Sequence, residues 1–476
     1  MLDKNVYENP LIKRYSSDEM KKIFSPNEKF KTWRKLWVAL AEGEKELGLP
    51  IKQSQINELK KYIDNINYKV AEKKEKEIRH DVMSHIYAFS KQAKSAGGII
   101  HLGATSAFVG DNTDLIVQKK ALEIISNKLL ILMKNLSKLA LKYKELPMLG
   151  FTHLQPAQLT TLGKRISLWL YEFYLDYIWI SDLPKDLPFL GVKGTTGTMA
   201  SFLALFNGDE KKCFELEKLI AKKMGFTEIV SVSGQTYSRK IDSMTLSILK
   251  GIAESASKMT NDIRILQSLK EIEEPFESSQ IGSSAMPYKR NPMRSERVSS
   301  LAKYIMNVSN TLSSISSTQW FERTLDDSAA RRIVIPETFL ATDAVLDILR
   351  NITENLVVYP KIIHSHIMSE IPFMATENIL MEAVKRGGNR QKLHEKIRRY
   401  SMFAGKEVKE NGKENDLLLR ITNDKAFNLK KTDLEKLTNP KLYIGLSQKQ
   451  VENFIKKNIN PLLKKIKNEN EVILKV

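Results

Sequence analysis

The segment Gly282-Ser283-Ser284-Ala285-Met286-Pro287-Tyr288-Lys289-Arg290-Asn291-Pro292 concentrates groups that can handle an anion. One glycine and two prolines restrict the backbone around two hydroxyls, a lysine and an asparagine. Such a stretch can turn backbone N–H groups and the Lys289 ammonium towards a carboxylate or phosphate. Taken alone, it is also what a polar surface loop looks like. His153, within Phe151-Thr152-His153-Leu154-Gln155-Pro156-Ala157-Gln158, carries an imidazole that titrates near neutral pH and suits proton transfer. A single histidine is otherwise a satisfied core or surface group. His80 stands between Arg79 and Asp81, whose charges both act on it. His364 and His366 are two residues apart, so a helix would point them to different faces. No carboxylate–cysteine cluster near them completes a metal site. Together with His85, His101 and His394 they read as structural or surface groups. Arg14, Arg79, Arg297, Arg323 and Arg332 offer guanidinium forks that fit carboxylate or phosphate, with surface ion pairing as the plain alternative. There is no Walker P-loop and no dinucleotide fingerprint.

Helical periodicity supplies the elements that must position these groups. Leu115, Leu122, Ile125, Leu129, Leu132, Leu136 and Leu139 recur at steps of three, four or seven. Ile241, Met244, Ile248, Ile252, Met259, Ile263 and Leu266 do the same, as do Val298, Leu301, Ile305, Val308, Leu312 and Ile315. Each stripe puts an apolar face on a long helix, and long helices of this kind pack as bundles. The first is expected to end before Pro147 after about 30 residues, or about 45 Å, and Pro275 to close the second. The aromatic-rich stretch 168–180 is shorter than the about 20 apolar residues a membrane span needs and carries Glu172 and Asp176, so it reads as a buried bundle helix. The Gly/Ser/Thr-rich stretches 191–198 and 278–292 read as loops, where function commonly resides. Nothing alternates long enough to build a large sheet. The expectation is an all-α chain with three helical domains. These are an N-terminal domain at 1–106, a central long-helix bundle at 107–360 that carries the loop 278–292, and a C-terminal domain at 361–476. Some apolar helix surface is expected to meet other subunits.

Composition bounds the function classes. The chain has 476 residues, 42% of them apolar and 28% charged, which suits a globular protein and argues against global disorder. One cysteine, Cys213, excludes an intrachain disulfide. The polar N-terminal stretch lacks the apolar core of a signal peptide, so a cytoplasmic protein is expected. The formal charge of +19 raises nucleic-acid binding, whose mark would be salt-dependent DNA binding. The lysines, however, are spread and mixed with glutamates, as at 71–79 and 406–415. Neither nucleic acid nor membrane is expected as a partner. The excess charge can still draw in an anionic small substrate.

The 282–292 segment resembles the signature loop of the fumarase/aspartase superfamily, G-S-S-x-M-P-x-K-x-N-P, at every fixed position. Five further stretches are similar to motifs of the adenylosuccinate lyase family, in its animal-type branch. They are Arg79-His80-Asp81, residues 101–106, residues 150–158, residues 233–237 and residues 320–332. The likeness runs from about Pro10 onward and is weakest over the last 80 residues or so. Ala107-Phe108 and Ala330 depart from the pattern without removing a titratable group.

The resemblance implies elimination of fumarate from succinylated purine nucleotides. Such a reaction needs a base for a carbon acid beside a carboxylate, cations for the charge that develops, and an acid for the leaving nitrogen. It implies Ser283 as base, activated by Lys289 and loop N–H groups, His153 as acid, and His80 in support. It also implies substrate contacts from Arg14, Tyr15, Arg79, His80, Asp81, Thr105, Ser106, Thr152 and Gln235. Lys289, Asn291, Arg297, Arg323, Ser328 and Arg332 complete the set. No metal or organic cofactor is implied, and the assembly implied is a homotetramer whose active sites each draw on three chains. The nearest rival is another lyase of the superfamily, such as one acting on argininosuccinate, aspartate or fumarate. Arg14, Tyr15, Arg79, Gln235 and Arg332 suit a nucleotide better. A catalytically silent homologue would be expected to have lost Ser283, His153 or Lys289, and all three are present.

Overall fold

A stripe of leucines and isoleucines on 106–142 closes the centre of the molecule: Leu115, Leu122, Ile125, Leu129, Leu132 and Leu136 are all completely buried. In the computed structural model, residues 5–277, 280–469 and 474 are described. Ser278 and Ser279 of the 278–292 loop lie outside the described residues, as do the outermost positions of the first and third expected domains. The elements that position the site are α1 (Pro26–Glu46), α2 (Tyr68–Ile78), α3 (Asp81–Gln92), α4 (Ser106–Lys142), β1 (Pro147–Thr152), β2 (Gln155–Thr161), α5 (Leu162–Ile180), α6 (Lys240–Ser268), α7 (Met293–Val308), α8 (Asn310–Thr318) and α9 (Asp327–Glu354). The architecture is all-α. Its β-structure, among the described residues, is two small antiparallel pairs and one isolated bridge.

Helices α4, α5, α6, α7 and α9 pack on one another as a long bundle. Buried apolar side chains form two clusters. One runs from Leu11 to Ile371 and takes in Val451, Ile455 and Ile459. The other joins residues from Ala375 to Leu434.

Three helical expectations change in detail. The second helix ends at Ser268, seven residues before Pro275, where Lys270 takes a left-handed backbone (φ 61°). The third stripe is divided at Ser309 into α7 and α8. The stretch 168–180 lies in a helix that is buried on one face only. Trp169, Leu170, Phe173, Tyr177 and Ile180 face the bundle, while Leu168, Tyr171, Ile178 and Trp179 are exposed. On α6, Met244 is likewise 57% exposed. Sequence periodicity marks an apolar stripe without saying which surface covers it. Within one chain these outer faces remain uncovered. No helix among the described residues is long and apolar enough to cross a membrane.

Candidate active site

Two helix starts meet at the main cavity. His80 caps α3 through its Nδ1, which accepts from the Met83 N–H at 3.4 Å. Thr105 immediately precedes the start of α4, the longest helix, whose first turn has no side-chain cap. Helix N-termini carry partial positive charge and unpaired N–H groups, so both favour an anion between them. The cavity encloses about 760 Å³ and is lined by Arg79, His80, Asp81, Ser106, Gln235, Arg323, Ser328 and Arg332. Thr105 adjoins it in the chain. Eight of the residues singled out in the sequence are thus brought together although they span positions 79 to 332.

His80 is oriented from both sides. With Nδ1 accepting, its Nε2 faces the Ser106 hydroxyl at 3.4 Å, and Asp81 Oδ1 lies 3.7 Å from Nδ1. Asp81 Oδ2 also faces Arg332 at 3.5 Å. Gln235 is set by its backbone: its N–H donates to the Glu322 carbonyl at 2.9 Å, and its side chain reaches the Thr195 carbonyl at 3.3 Å. Gly197 (φ +81°) permits this packing, since a Cβ there would fall 1.9 Å from the Ser233 carbonyl oxygen.

Asp111, Asp114 and Arg331 of the cavity wall belong to a largely buried charged cluster that no sequence motif marked. Arg239 donates to Asp111 at 2.8 Å and to Asp327 at 2.6 Å. Arg331 donates to Asp242 at 2.8 Å, to Asp114 at 2.9 Å and to the Tyr237 hydroxyl. The cluster ties α4, α6 and α9 together at the cavity wall. It also separates two adjacent arginines. Arg331 is buried and consumed by carboxylates, while the Arg332 side chain is 65% exposed towards the cavity. Lys29 of α1 lines the cavity as well. Scattered among so many lysines, it gave no signal in the sequence.

His153 stands elsewhere. Thr152 pairs with Gln155, leaving His153 and Leu154 as a two-residue hairpin turn between β1 and β2. Both have left-handed backbones, with φ 54° and 55°. Turns of this kind favour Asn-Gly, because L side chains are strained there. Thr152, His153 and Leu154 are all exposed at the tip. Strain at a polar, exposed, titratable residue is the pattern expected of a functional position.

Ser283 stands on a second projection. The ends of its loop are fixed. Gln267 donates to the Arg290 carbonyl at 3.0 Å, and the buried Glu274 carboxylate accepts from the Arg294 and Ser295 N–H groups at the start of α7. Asn291 donates to the Gly282 carbonyl at 2.9 Å. A Cβ on Gly282 would lie 1.8 Å from the Lys289 carbonyl oxygen, so the ring requires glycine. Ser283 Oγ accepts from the Ala285 and Met286 N–H groups at 3.3 and 3.2 Å. Donors aimed at that oxygen favour its alkoxide over its hydroxyl. Lys289 is exposed on the same loop. Neither Ser283, Lys289, Asn291 nor His153 lines the cavity of its own chain. Arg14 and Tyr15 form part of a short turn held by Ser16, whose hydroxyl hydrogen-bonds the Leu11 and Leu340 carbonyls. The Arg297 guanidinium lies 5.7 Å from the Tyr15 ring centre. These residues too lie outside the cavity lining.

Two other histidines are structural. The ring of His85 stacks on Phe30 with centres 3.8 Å apart. Burial, aided by the Arg34 and Lys29 charges, pushes its pKa down to about 4. His101 accepts from the Trp37 indole N–H at 2.9 Å. Burial and then His80 push it down to about 4. His366 pairs with the buried Glu271 at 2.9 Å. An unfolded imidazole titrates near 6.5. Between that pH and about 4 the unfolded chain binds protons that the folded chain refuses, so stability falls as pH drops through this window. Replacing His85 by Phe, which keeps the stack, is expected to flatten part of that slope. Thermal unfolding of both proteins from neutral pH down to about 4 measures it.

Among the described residues no group of three or more His, Cys, Asp or Glu is placed to hold a metal ion. Residues 13–307 match a family described as lyase, and residues 372–454 match one described as the adenylosuccinate lyase C-terminus. The adenylosuccinate lyase of Schizosaccharomyces pombe is 50% identical over 466 residues, 97% of each chain. That of Saccharomyces cerevisiae is 48% identical over the full length of both. The 3-carboxy-cis,cis-muconate lactonizing enzyme of Pseudomonas putida shares the fold, with a TM-score of 0.82 over 95% of this chain and 100% of its own at 21% identity. A fumarate lyase from Mesorhizobium sp. BNC1 does so with a TM-score of 0.78, over 95% and 100%, at 20% identity.

Proposed function

The chain belongs to the adenylosuccinate lyase family, a family of carbon–nitrogen lyases, and from that premise we propose that it eliminates fumarate from two succinylated substrates of purine nucleotide synthesis. Adenylosuccinate would leave AMP, and the ribonucleotide of succinyl-aminoimidazole carboxamide would leave its carboxamide. The observation that carries this reading is the cavity itself. The Arg79, Arg323 and Arg332 guanidiniums, the Ser106 and Ser328 hydroxyls, the Gln235 amide and two helix starts converge on one space of about 760 Å³. That is a lining for a ligand with negative charge at more than one end.

In this reading Ser283 enters as an alkoxide and takes the proton from the carbon next to a succinyl carboxylate. The electron pair forms the fumarate double bond as the C–N bond breaks. His153, entering protonated, delivers a proton to the departing nitrogen. Lys289 and Asn291 hold the carboxylate on which charge builds. The two N–H groups at Ser283 Oγ support the base role, and the strained exposed setting of His153 supports the acid role. His80, held by Ser106 and Asp81, orients the substrate. The chemistry asks for no metal or organic cofactor, because acid, base and anion-binding groups are all side chains.

Base and acid project away from the cavity on separate loops, and bundle faces carrying Leu168, Trp179 and Met244 are bare. Both features suit a homotetramer in which each site gathers residues from three chains, and we propose that it works in the cytoplasm. The test is to assay the purified protein against adenylosuccinate, argininosuccinate, aspartate and malate. Turnover of adenylosuccinate is expected. Turnover of one of the others in its place would overturn the reading.

A further inference from the structure

Lys29 is a cation of the cavity wall with no anion of its own. It projects from α1 into the space lined by Arg79, Ser328 and Arg332. Its ammonium lies 5.0 Å from the Trp33 ring centre and 5.2 Å from that of Phe30. Rings attract a cation but leave its charge in place. Among the described residues no carboxylate comes within 4 Å of that ammonium, whereas Lys31 on the same helix is paired with Asp64. Burial lowers the Lys29 pKa, and the Arg332 charge lowers it further; Asp114, Asp81 and Glu75 act the other way more weakly.

Two cations that line one cavity and repel each other are stabilised by an anion bound beside both. The neighbouring groups narrow its kind. Ser328 opens α9, Arg323 precedes it, and Arg332 lies one turn further along the same face. A helix start, a hydroxyl and two guanidiniums beside an ammonium match a phosphate monoester, which carries close to two charges on three oxygens. We propose that Lys29, with Arg332, binds the phosphoryl group of the nucleotide substrate. For the identity of that substrate the proposal rests on the lyase reading above.

Lys29→Met keeps the stem over Trp33 and removes the charge, and Lys29→Arg keeps the charge. Lys29→Met is expected to raise KM for adenylosuccinate roughly tenfold with kcat within about twofold, as loss of uniform binding does, and Lys29→Arg to recover most of it. Inorganic phosphate is expected to stabilise the unsubstituted enzyme and Lys29→Arg against heat, and Lys29→Met much less, while stabilisation by succinate is equal in all three. Equal phosphate stabilisation in Lys29→Met, or loss of the succinate effect instead, overturns the assignment. The two failures are distinct. Absence of adenylosuccinate turnover by the unsubstituted enzyme counts against the lyase reading, and the phosphate comparison still decides Lys29.

Discussion

Replacing Ser283 with Ala is expected to lower kcat for adenylosuccinate by roughly 10²–10⁴-fold, the usual contribution of a positioned base, while leaving oligomeric state and thermal stability unchanged. The expectation follows from how little of the loop depends on the hydroxyl. Its ring is closed by Asn291 on the Gly282 carbonyl and its exit by Glu274 on the start of α7. Ser283 Oγ merely accepts two long hydrogen bonds from exposed N–H groups, which water can replace. A fall in activity therefore reports chemistry and not collapse of the loop. Steady-state kinetics beside a thermal melt separate the two, and near-normal turnover would remove Ser283 as the base.

The second large effect is expected at His153, where glycine is the informative replacement. The residue sits at φ 54° in a two-residue turn, a conformation that costs an L-residue about 1–2 kcal/mol and glycine nearly nothing. His153→Gly should therefore hold the hairpin or tighten it, yet lose roughly 10²–10⁴-fold in kcat if the imidazole is the proton donor. Added imidazole should return part of the rate. A glycine variant that is stable and fully active would leave the departing nitrogen without its acid.

The fold was legible because its helices carry buried stripes at regular spacing, and Leu115 to Leu136 is the clearest case. The limits of those helices were less so. Pro275 was the visible stop signal near α6, but the helix ends at a left-handed Lys270, a local backbone choice that no residue type announces. Leu168 and Tyr171 looked like core because sequence cannot say whether apolar surface is covered within a chain or between chains. The site divides the same way. Motif residues such as Arg79, His80, Ser106, Gln235 and Arg332 meet in one cavity. Which of two adjacent arginines is buried, Arg331 or Arg332, depends on the carboxylates of Asp242 and Asp114 from distant helices. Lys29 became visible only once its missing counter-ion could be seen.

The most direct test of a pocket assembled between chains is to mix Ser283→Ala and His153→Gly proteins, exchange their subunits and assay adenylosuccinate turnover. If base and acid reach each pocket from different chains, random exchange of equal amounts leaves about a quarter of the pockets with both groups intact, so activity should rise towards about a quarter of the unsubstituted rate. Activity that stays at the level of the two separate variants, after exchange has been verified, would contradict the shared pocket.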